Sequence, residues 1–156
     1  MMELRNAPRD SFVVLQLGQQ HFALRAEIVA ELAPPVRLHS FPHSSPLLSG
    51  VIVRRGRIVP VYDALRVVSG KSSLAHRFYL VARRQFGEMC EMSAIAVDGE
   101  CELVTAELRP RPEAAPAYIQ GEITAGGANV GVLDLEALVD SYSEVRGSEN
   151  AGEAHP

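Results

Sequence analysis

The fold class is decided by one stretch of sequence, Gly50-Val51-Ile52-Val53-Arg54-Arg55-Gly56-Arg57-Ile58-Val59-Pro60-Val61-Tyr62-Asp63. Two runs rich in β-branched residues flank a short polar segment, which is typical of a hairpin with a tight turn. Gly56 permits the positive φ that such a turn needs. Pro60 has no backbone N–H to donate, so it marks a sheet edge or a bulge. The stretch therefore predicts an antiparallel β-hairpin.

Similar short strands are predicted along the rest of the chain, about nine or ten in all. Residues 26–32 suit one short helical turn or an irregular connection, which Pro34 and Pro35 end. The apolar residues of 133–139 suggest a short closing helix, and no repeat of 20–50 residues is visible. The other strands are expected at Phe12–Leu17, His21–Arg25, Val36–Phe41, Phe78–Val81, Met92–Val97, Cys101–Ala106, Tyr118–Thr124 and Asn129–Leu133.

This pattern leaves no room for repeated crossover helices, so parallel βαβ architecture is disfavoured and an all-β barrel or sandwich is favoured. A length of 156 residues fits one domain, or two small β subdomains that share a core. Residues 1–10 are polar and predicted to be flexible, and residues 143–156 lack an apolar period and are predicted to be disordered. Residues 11–142 are thus the expected folded domain.

Charge and hydropathy narrow the classes of partner. The chain has 15 Lys and Arg against 19 Asp and Glu, a net charge of -4, which disfavours nucleic acid. It has no apolar run near the ~18 residues that a membrane span requires and no signal-peptide pattern at its start, so we expect a cytoplasmic protein without direct membrane insertion. Cys90 and Cys101 are expected to be small buried apolar residues.

Motifs that carry chemistry are missing from the sequence. No phosphate-binding Gly-rich loop and no nucleophile elbow occur. His39 and His43 lie in a Pro-containing segment that cannot be a helix, so we expect no metal site there. Val97-Asp98-Gly99 is similar to the Asp-Thr-Gly of aspartic proteases but lacks the hydroxyl residue, and a strand-ending turn explains it. We therefore expect no catalytic residues, no cofactor and no enzyme activity.

Residues 50–63 resemble the Gly-Val-Ile-Asn-Leu-Arg-Gly-x-Ile-x-Pro-Val-x-Asp signature of the CheW family, the coupling proteins of bacterial chemotaxis. Val53-Arg54 stands where the family has Asn-Leu, and Ala94 where it has glycine. The resemblance spans residues 12–139. It is supported by Leu17-Gly18, Phe22-Ala23-Leu24, Val29-Ala30-Glu31-Leu32, Ala96-Val97-Asp98-Gly99, Tyr118-Ile119-Gln120-Gly121 and Val132-Leu133-Asp134-Leu135-Glu136.

The resemblance implies two small five-stranded SH3-like barrels, intertwined and packed together within residues 11–142, with short helical turns and a short C-terminal helix. It implies a non-catalytic adaptor without a cofactor or metal. One surface would bind the regulatory domain of a CheA-type histidine kinase, and a groove between the barrels would hold the cytoplasmic hairpin tip of a chemoreceptor. A groove between sheets can accept the apolar stripe of a helix.

The resemblance also assigns site residues. Glu31 and Arg55 match a family pair that is expected to form a salt bridge. Gly50 and Gly56 are expected to be needed for backbone reasons, and Asp63 and Asp134 to cap the segments that follow them. The receptor groove would comprise Ala26, Val29, Glu31, Arg55, Tyr79 and Leu103, and the signature hairpin Gly50, Val53, Arg54, Arg55 and Gly56.

Three alternatives stay open. The apolar groove residues could equally pack in the core. The arginines at 54, 55 and 57 could be a solvated hairpin tip, or could contact an acidic patch on the kinase or receptor. The chain could also be a divergent ligand-sensing or inhibitory regulator without kinase coupling, an alternative suggested by the Val53-Arg54 departure.

Overall fold

The computed structural model describes residues 9–40, 47–71, 78–86 and 88–140, and the side chains of 84–86 are not among the described features. Within these residues the chain is dominated by strands, because short alternating apolar runs are separated by turn residues. The strands are β1 Asp10–Leu17, β2 Gln20–Arg25, β3 Val29–Ala33, β4 Leu48–Arg54, β5 Arg57–Tyr62, β6 Phe78–Phe86, β7 Met89–Val97, β8 Glu102–Ala106, β9 Arg109–Pro110, β10 Ile119–Ala125 and β11 Ala128–Leu133.

Three short helical segments join or close these strands. A 3₁₀ turn, Ala26–Ile28, leads from β2 into β3. Helix α1, Ala64–Ser69, follows β5, and its N-terminal Asp63 accepts a hydrogen bond from the backbone N–H of Arg66 at 3.2 Å. Helix α2 covers 135–140 among the described residues, and Asp134 caps it in the same way. Both predicted aspartate caps are confirmed.

The strands form two sheets, each the wall of one SH3-like barrel. The first barrel has the order β8-β1-β2-β11-β10-β9 and so combines the two ends of the described chain. The second barrel has the order β3-β6-β7-β5-β4 and comes from the middle. Each sheet contains one parallel contact, between β2 and β11 and between β5 and β7. The prediction of two packed five-stranded barrels is confirmed, with the two-residue β9 added to the first sheet.

The two halves of the chain are internal copies related by a shift of 71 residues, the spacing from Gly50 to Gly121. The parallel contact of Val61 with Ala94 recurs as that of Val132 with Ala23 at the same shift. Each half therefore supplies its first hairpin to the barrel of the other half. Between residues 50–63 and 121–134 the identical positions are Gly50 and Gly121, Ile52 and Ile123, Gly56 and Gly127, Val59 and Val130, Val61 and Val132, and Asp63 and Asp134.

Gly50 and Gly121 serve the same purpose in the two copies. A Cβ added to Gly50 would lie 2.5 Å from the main-chain oxygen of His39, and one added to Gly121 would lie 2.6 Å from that of Arg109. In each barrel a crossing segment passes directly over the glycine, as an isolated bridge between His39 and Val51 in one and as β9 in the other. Only glycine fits this approach, which explains why both positions carry it.

Three apolar clusters hold the fold together. Each barrel has its own interior, built around Ile123 in the first and Ile52 in the second. The largest cluster fills the joint between the barrels and includes the fully buried Leu24, Leu80 and Leu133. We call it the inter-barrel core. Because it is continuous with side chains of both sheets, the two barrels have a fixed relative placement.

Some local expectations differ from the structure. Residues 36–40 form no strand, because His39 makes only the single bridge to Val51. Pro60 lies in an internal strand and not at an edge; the pairing of β5 with β7 begins after it, at Val61. Cys90 is exposed and Cys101 half-buried, so the expectation of two buried thiols is wrong. His43 and the predicted tails, apart from residues 9 and 10, lie outside the described residues.

Candidate functional site

A bidentate ion pair joins the two edges of the second barrel. Arg54 donates from Nε to Oε1 of Glu31 at 2.8 Å and from Nη2 to Oε2 at 3.0 Å. Glu31 lies on β3 and Arg54 on β4, which are the first and last strands of the five-stranded sheet. The pair therefore closes the barrel at its rim, where no backbone ladder between described residues links the two edges. Its planar fork geometry fixes both side chains.

The charge state of Glu31 reflects this contact. The pKa of Glu31 is lowered, chiefly because Arg54 donates hydrogen bonds to it, while partial burial opposes the shift. The charges of Arg54 and Arg55 lower it further. The pKa of Arg54 is raised, first by the same hydrogen bond. Both side chains are about a quarter exposed, at 25% for Arg54 and 21% for Glu31, so water still reaches the pair.

The predicted pairing of Glu31 with Arg55 is wrong, because its partner is Arg54. Side chains two apart in a strand share a face, so Arg54 points to the same side as the buried Ile52. Arg55 occupies the turn, with φ of 51°, followed by Gly56 with φ of 75°. Two successive positive φ values make the type I′ turn favoured in tight hairpins. Arg55 acts on Glu31 only through its charge.

Around the ion pair, the rim of the second barrel encloses a recess of about 360 Å³, which we call the basic recess. Its polar lining has four arginines and one carboxylate, while Val59, Val81 and Met92 form apolar lining. Arg83 is one of the four, and it also donates to the main-chain oxygen of Glu27 at 3.1 Å. The charged residues are Glu31, Arg54, Arg55, Arg57 and Arg83. Sequence reasoning missed Arg83 and Met92, whose strand positions give no sign of this shared recess.

Four of the six predicted groove residues lie away from the basic recess, three of them at or near the surface. Val29 is half-buried at the start of β3 and packs against the inter-barrel core. Leu103 is 70% exposed on β8 and pairs with Val13, which packs against the same core. Cross-strand partners share a face of the sheet, so Leu103 borders this core from the first barrel. Ala26 is half-buried in the 3₁₀ turn beside Asp10.

Tyr79 does not line a surface. Its side chain is 3% exposed and belongs to the interior of the second barrel, so core packing, the alternative that the sequence left open, applies to this residue. Burial also raises the pKa of its phenol. The six predicted groove residues therefore do not form one surface. Glu31 and Arg55 line the basic recess, Val29 and Leu103 lie at the inter-barrel core, Ala26 lies in the 3₁₀ turn, and Tyr79 lies in the interior of the second barrel. A register shift between Val29 and Glu31 in β3 places these two on opposite faces of the strand.

Asp98, the residue that the sequence likened to a protease aspartate, has a structural position. Its Oδ2 accepts a hydrogen bond from the backbone N–H of Gly18 at 2.6 Å, and its own N–H donates to Gln16 at 2.8 Å. It thus ties the end of β7 in the second barrel to the β1–β2 turn in the first. Within the described part of the chain, no group of three or more His, Cys, Asp or Glu side chains is placed to hold a metal ion. No described helix is both long and apolar enough to span a bilayer.

Comparison with known proteins identifies the family to which this architecture belongs. A family model described as the CheW-like domain matches residues 11–143. The chain belongs to the CheW-like domain family. This CheW-like chain is 24% identical over 140 residues to Protein FrzA of Myxococcus xanthus, a match that covers 86% of the chain and 88% of FrzA.

A solved structure shows the same CheW-like fold. The scaffolding protein TtCheW from Thermoanaerobacter tengcongensis superposes with a TM-score of 0.69 at 20% sequence identity, over 84% of this chain and 88% of TtCheW. Val53 and Arg54, which stand where the CheW signature has Asn-Leu, are neighbours in β4. Val53 is 51% exposed, and Arg54 takes the ion pair with Glu31. The departures therefore change the hairpin surface and leave the fold intact.

Proposed function

We propose that this chain is a non-catalytic adaptor that couples a chemoreceptor to a CheA-type histidine kinase in the cytoplasm. The observation that carries the proposal is the CheW-like family match over residues 11–143, nearly all of the described chain. The names of its relatives agree with a scaffolding role, since TtCheW is called a scaffolding protein. One surface would bind the regulatory domain of the kinase and another the cytoplasmic tip of the receptor.

The joint between the barrels suits the receptor tip. Leu103 is exposed and Val29 half-buried, and both lie beside the inter-barrel core. An apolar stripe on a helix gains free energy by covering such side chains, and a polar rim sets its register. Ala26, in the 3₁₀ turn before Val29, would border the surface that the receptor helix covers. The fixed placement of the barrels would let the adaptor transmit a shift of one partner to the other.

Leu103→Ser is the direct test of the receptor surface. Burying a leucine contributes about 1.5–3 kcal/mol, so we expect the variant to weaken binding of the receptor tip roughly tenfold or more. Met89→Ser is the matched control, because Met89 is 67% exposed and lies on a different strand. Isothermal titration calorimetry measures both affinities. Equal receptor affinity in the two folded variants would remove Leu103 from the site.

Glu31→Arg tests the other part of the predicted groove. It removes the partner of Arg54 and adds a fifth guanidinium to the basic recess. We expect weaker receptor binding while the purified kinase regulatory domain still binds in a pull-down. Failure of the wild-type chain to capture that kinase domain would favour the regulator without kinase coupling over the adaptor.

A further inference from the structure

The internal duplication supplies a reference for the β4–β5 hairpin. At a shift of 71 residues its counterpart is β10–β11, which we call the sister hairpin. The two have the same paired strands and occupy equivalent places in their barrels. A residue that both hairpins need for folding should be similar in both. Where equivalent residues of the two hairpins differ in polarity or charge, the shared fold does not explain the difference.

The outward faces of the two hairpins differ in polarity. Val53 and Ile58 pair across the first hairpin and are 51% and 72% exposed. Their counterparts, Thr124 and Asn129, also pair and are exposed, and Arg109 donates hydrogen bonds to both. The fold accepts polar residues at this place. Val53 and Ile58 therefore leave apolar surface in water without any gain in packing.

The recesses at the rims of the two barrels also differ, because four arginines line one of them and small residues take the place of three of these arginines in the other. The sister barrel has a recess of about 410 Å³ that retains Glu102 at the position of Glu31. None of its described lining residues is an arginine, since the counterparts of Arg54, Arg55 and Arg57 are Ala125, Gly126 and Ala128. This barrel forms without the arginine cluster, so the cluster is not a requirement of the fold.

Arg54, Arg55 and Arg57 form a local positive cluster on a chain whose net charge is -4. Arg54 is neutralised by Glu31. Arg55 and Arg57 are exposed and make no ion pair with any described residue. Arg55 is in the turn and Arg57 pairs with Arg54 on the recess side, while Val53 and Ile58 pair on the outer side. Exposed cations and exposed apolar side chains therefore lie on the two sides of one hairpin end.

We propose that the β4–β5 hairpin docks a segment of a partner protein in which apolar side chains are flanked by carboxylates. Val53 and Ile58 contact the apolar side chains, and Arg55 and Arg57 pair with the carboxylates. This inference rests on the proposed adaptor function and specifies the chemistry of one partner. A second copy of the chain is a poor occupant, because hairpin-to-hairpin contact would bring the arginines of both copies together.

The test uses NMR of the full-length chain, ¹⁵N-labelled, with two synthetic amphipathic peptides that share one leucine stripe. Glutamate flanks the stripe in one peptide and lysine in the other. We expect the glutamate peptide to shift the amides of residues 51–60 and not those of 122–131, and to bind about tenfold more tightly than the lysine peptide. Added salt should weaken the binding of the glutamate peptide.

A variant that copies the sister hairpin removes the proposed docking side chains of the β4–β5 hairpin, and it uses only residues that the same hairpin backbone already accommodates. It combines Val53→Thr, Arg55→Gly, Arg57→Ala and Ile58→Asn, each a residue that the sister hairpin carries at the same place. The expected loss of affinity for the glutamate peptide is about tenfold or more. The double variant Arg37→Ala/Arg66→Ala is the control, since it loses the same charge at two exposed positions elsewhere and should bind normally.

Four results would overturn the inference: equal shifts on both hairpins, equal affinity for the two peptides, unchanged binding by the copied hairpin, or no binding at all. Binding of phosphatidylglycerol vesicles through residues 51–60 in place of the glutamate peptide would also overturn it, by making the surface a lipid site. A chain that binds the receptor tip and the kinase domain normally but fails these tests would keep its adaptor function and lose only this assignment.

Discussion

Replacing Asp98 with alanine tests how the two barrels are held in place. The substitution deletes the carboxylate that accepts a hydrogen bond from the backbone N–H of Gly18 at 2.6 Å, and it keeps the backbone bond from Asp98 to Gln16. Hydrogen bonds to charged groups contribute about 1.5–3 kcal/mol. Gly18 is only half-buried, so water can partly satisfy the freed N–H, and we expect a loss near the lower limit.

Thermal and urea unfolding measure this loss. At this chain length about 1 kcal/mol corresponds to roughly 2–4 °C, so Asp98→Ala should lower Tm by roughly 3–6 °C. Asp98→Asn is the matched control, because its amide oxygen can still accept the bond, and it should lose less than half as much. The urea slope should stay unchanged. If Asp98→Ala stayed within about 0.5 kcal/mol of the wild type, as an ordinary surface substitution does, the Asp98 carboxylate would not hold the two barrels together.

Further predictions concern acid stability, thiol reactivity and the crossing segments. Because Arg54 lowers the pKa of Glu31, the ionised Glu31 carboxylate stabilises the fold above the ordinary glutamate pKa of about 4.3, and this stabilisation is lost as the pH falls through the lowered pKa. Glu31→Gln should therefore flatten the acid part of the profile of unfolding free energy, measured in urea, against pH. An unchanged profile would exclude the ion pair as the cause of this pH dependence. Burial raises the pKa of the Cys101 thiol, so a disulfide reagent at neutral pH should label the exposed Cys90 first. Cys90→Ser should abolish the fast phase of labelling. A fast labelling phase in Cys90→Ser would contradict this prediction. Gly121→Ala should cost about 1–3 kcal/mol in urea unfolding, because its Cβ would lie 2.6 Å from a main-chain oxygen of β9; a neutral effect would mean that β9 can move away.

Much of the fold follows from local pattern. The signature stretch predicted the β4–β5 hairpin, and the structure confirms a turn with positive φ at Gly56. The caps at Asp63 and Asp134 were also predictable, since aspartate before a short helix accepts a backbone N–H. These features depend on residues close in sequence, where propensity and spacing are informative.

The family resemblance implied two intertwined subdomains, but the residues alone did not predict which hairpins the two halves exchange, because that exchange depends on contacts between distant strands. The sequence does carry a signal for the duplication, since glycine, isoleucine, valine and aspartate recur at a shift of 71 residues from Gly50 to Gly121. A search limited to periods of 20–50 residues misses it. The parallel contacts that join the halves involve only two residue pairs each and leave no local trace.

The site was predicted less well than the fold. Glu31 was placed correctly at an ion pair, but its partner was assigned to Arg55 by family position, whereas strand alternation selects Arg54. Tyr79 was assigned to a groove although its strand face points into the barrel interior. Both errors concern which side of a strand a residue faces, and a register shift such as the one in β3 changes the face of every residue after it.

As the proposed adaptor, this chain would bind the kinase regulatory domain and the receptor tip at the same time. Sedimentation velocity of the chain mixed with the kinase regulatory domain and the receptor tip tests it most directly. We expect one complex containing all three components, heavier than either pairwise complex. Competition between the two partners for the chain, or the absence of binding to both, would contradict it.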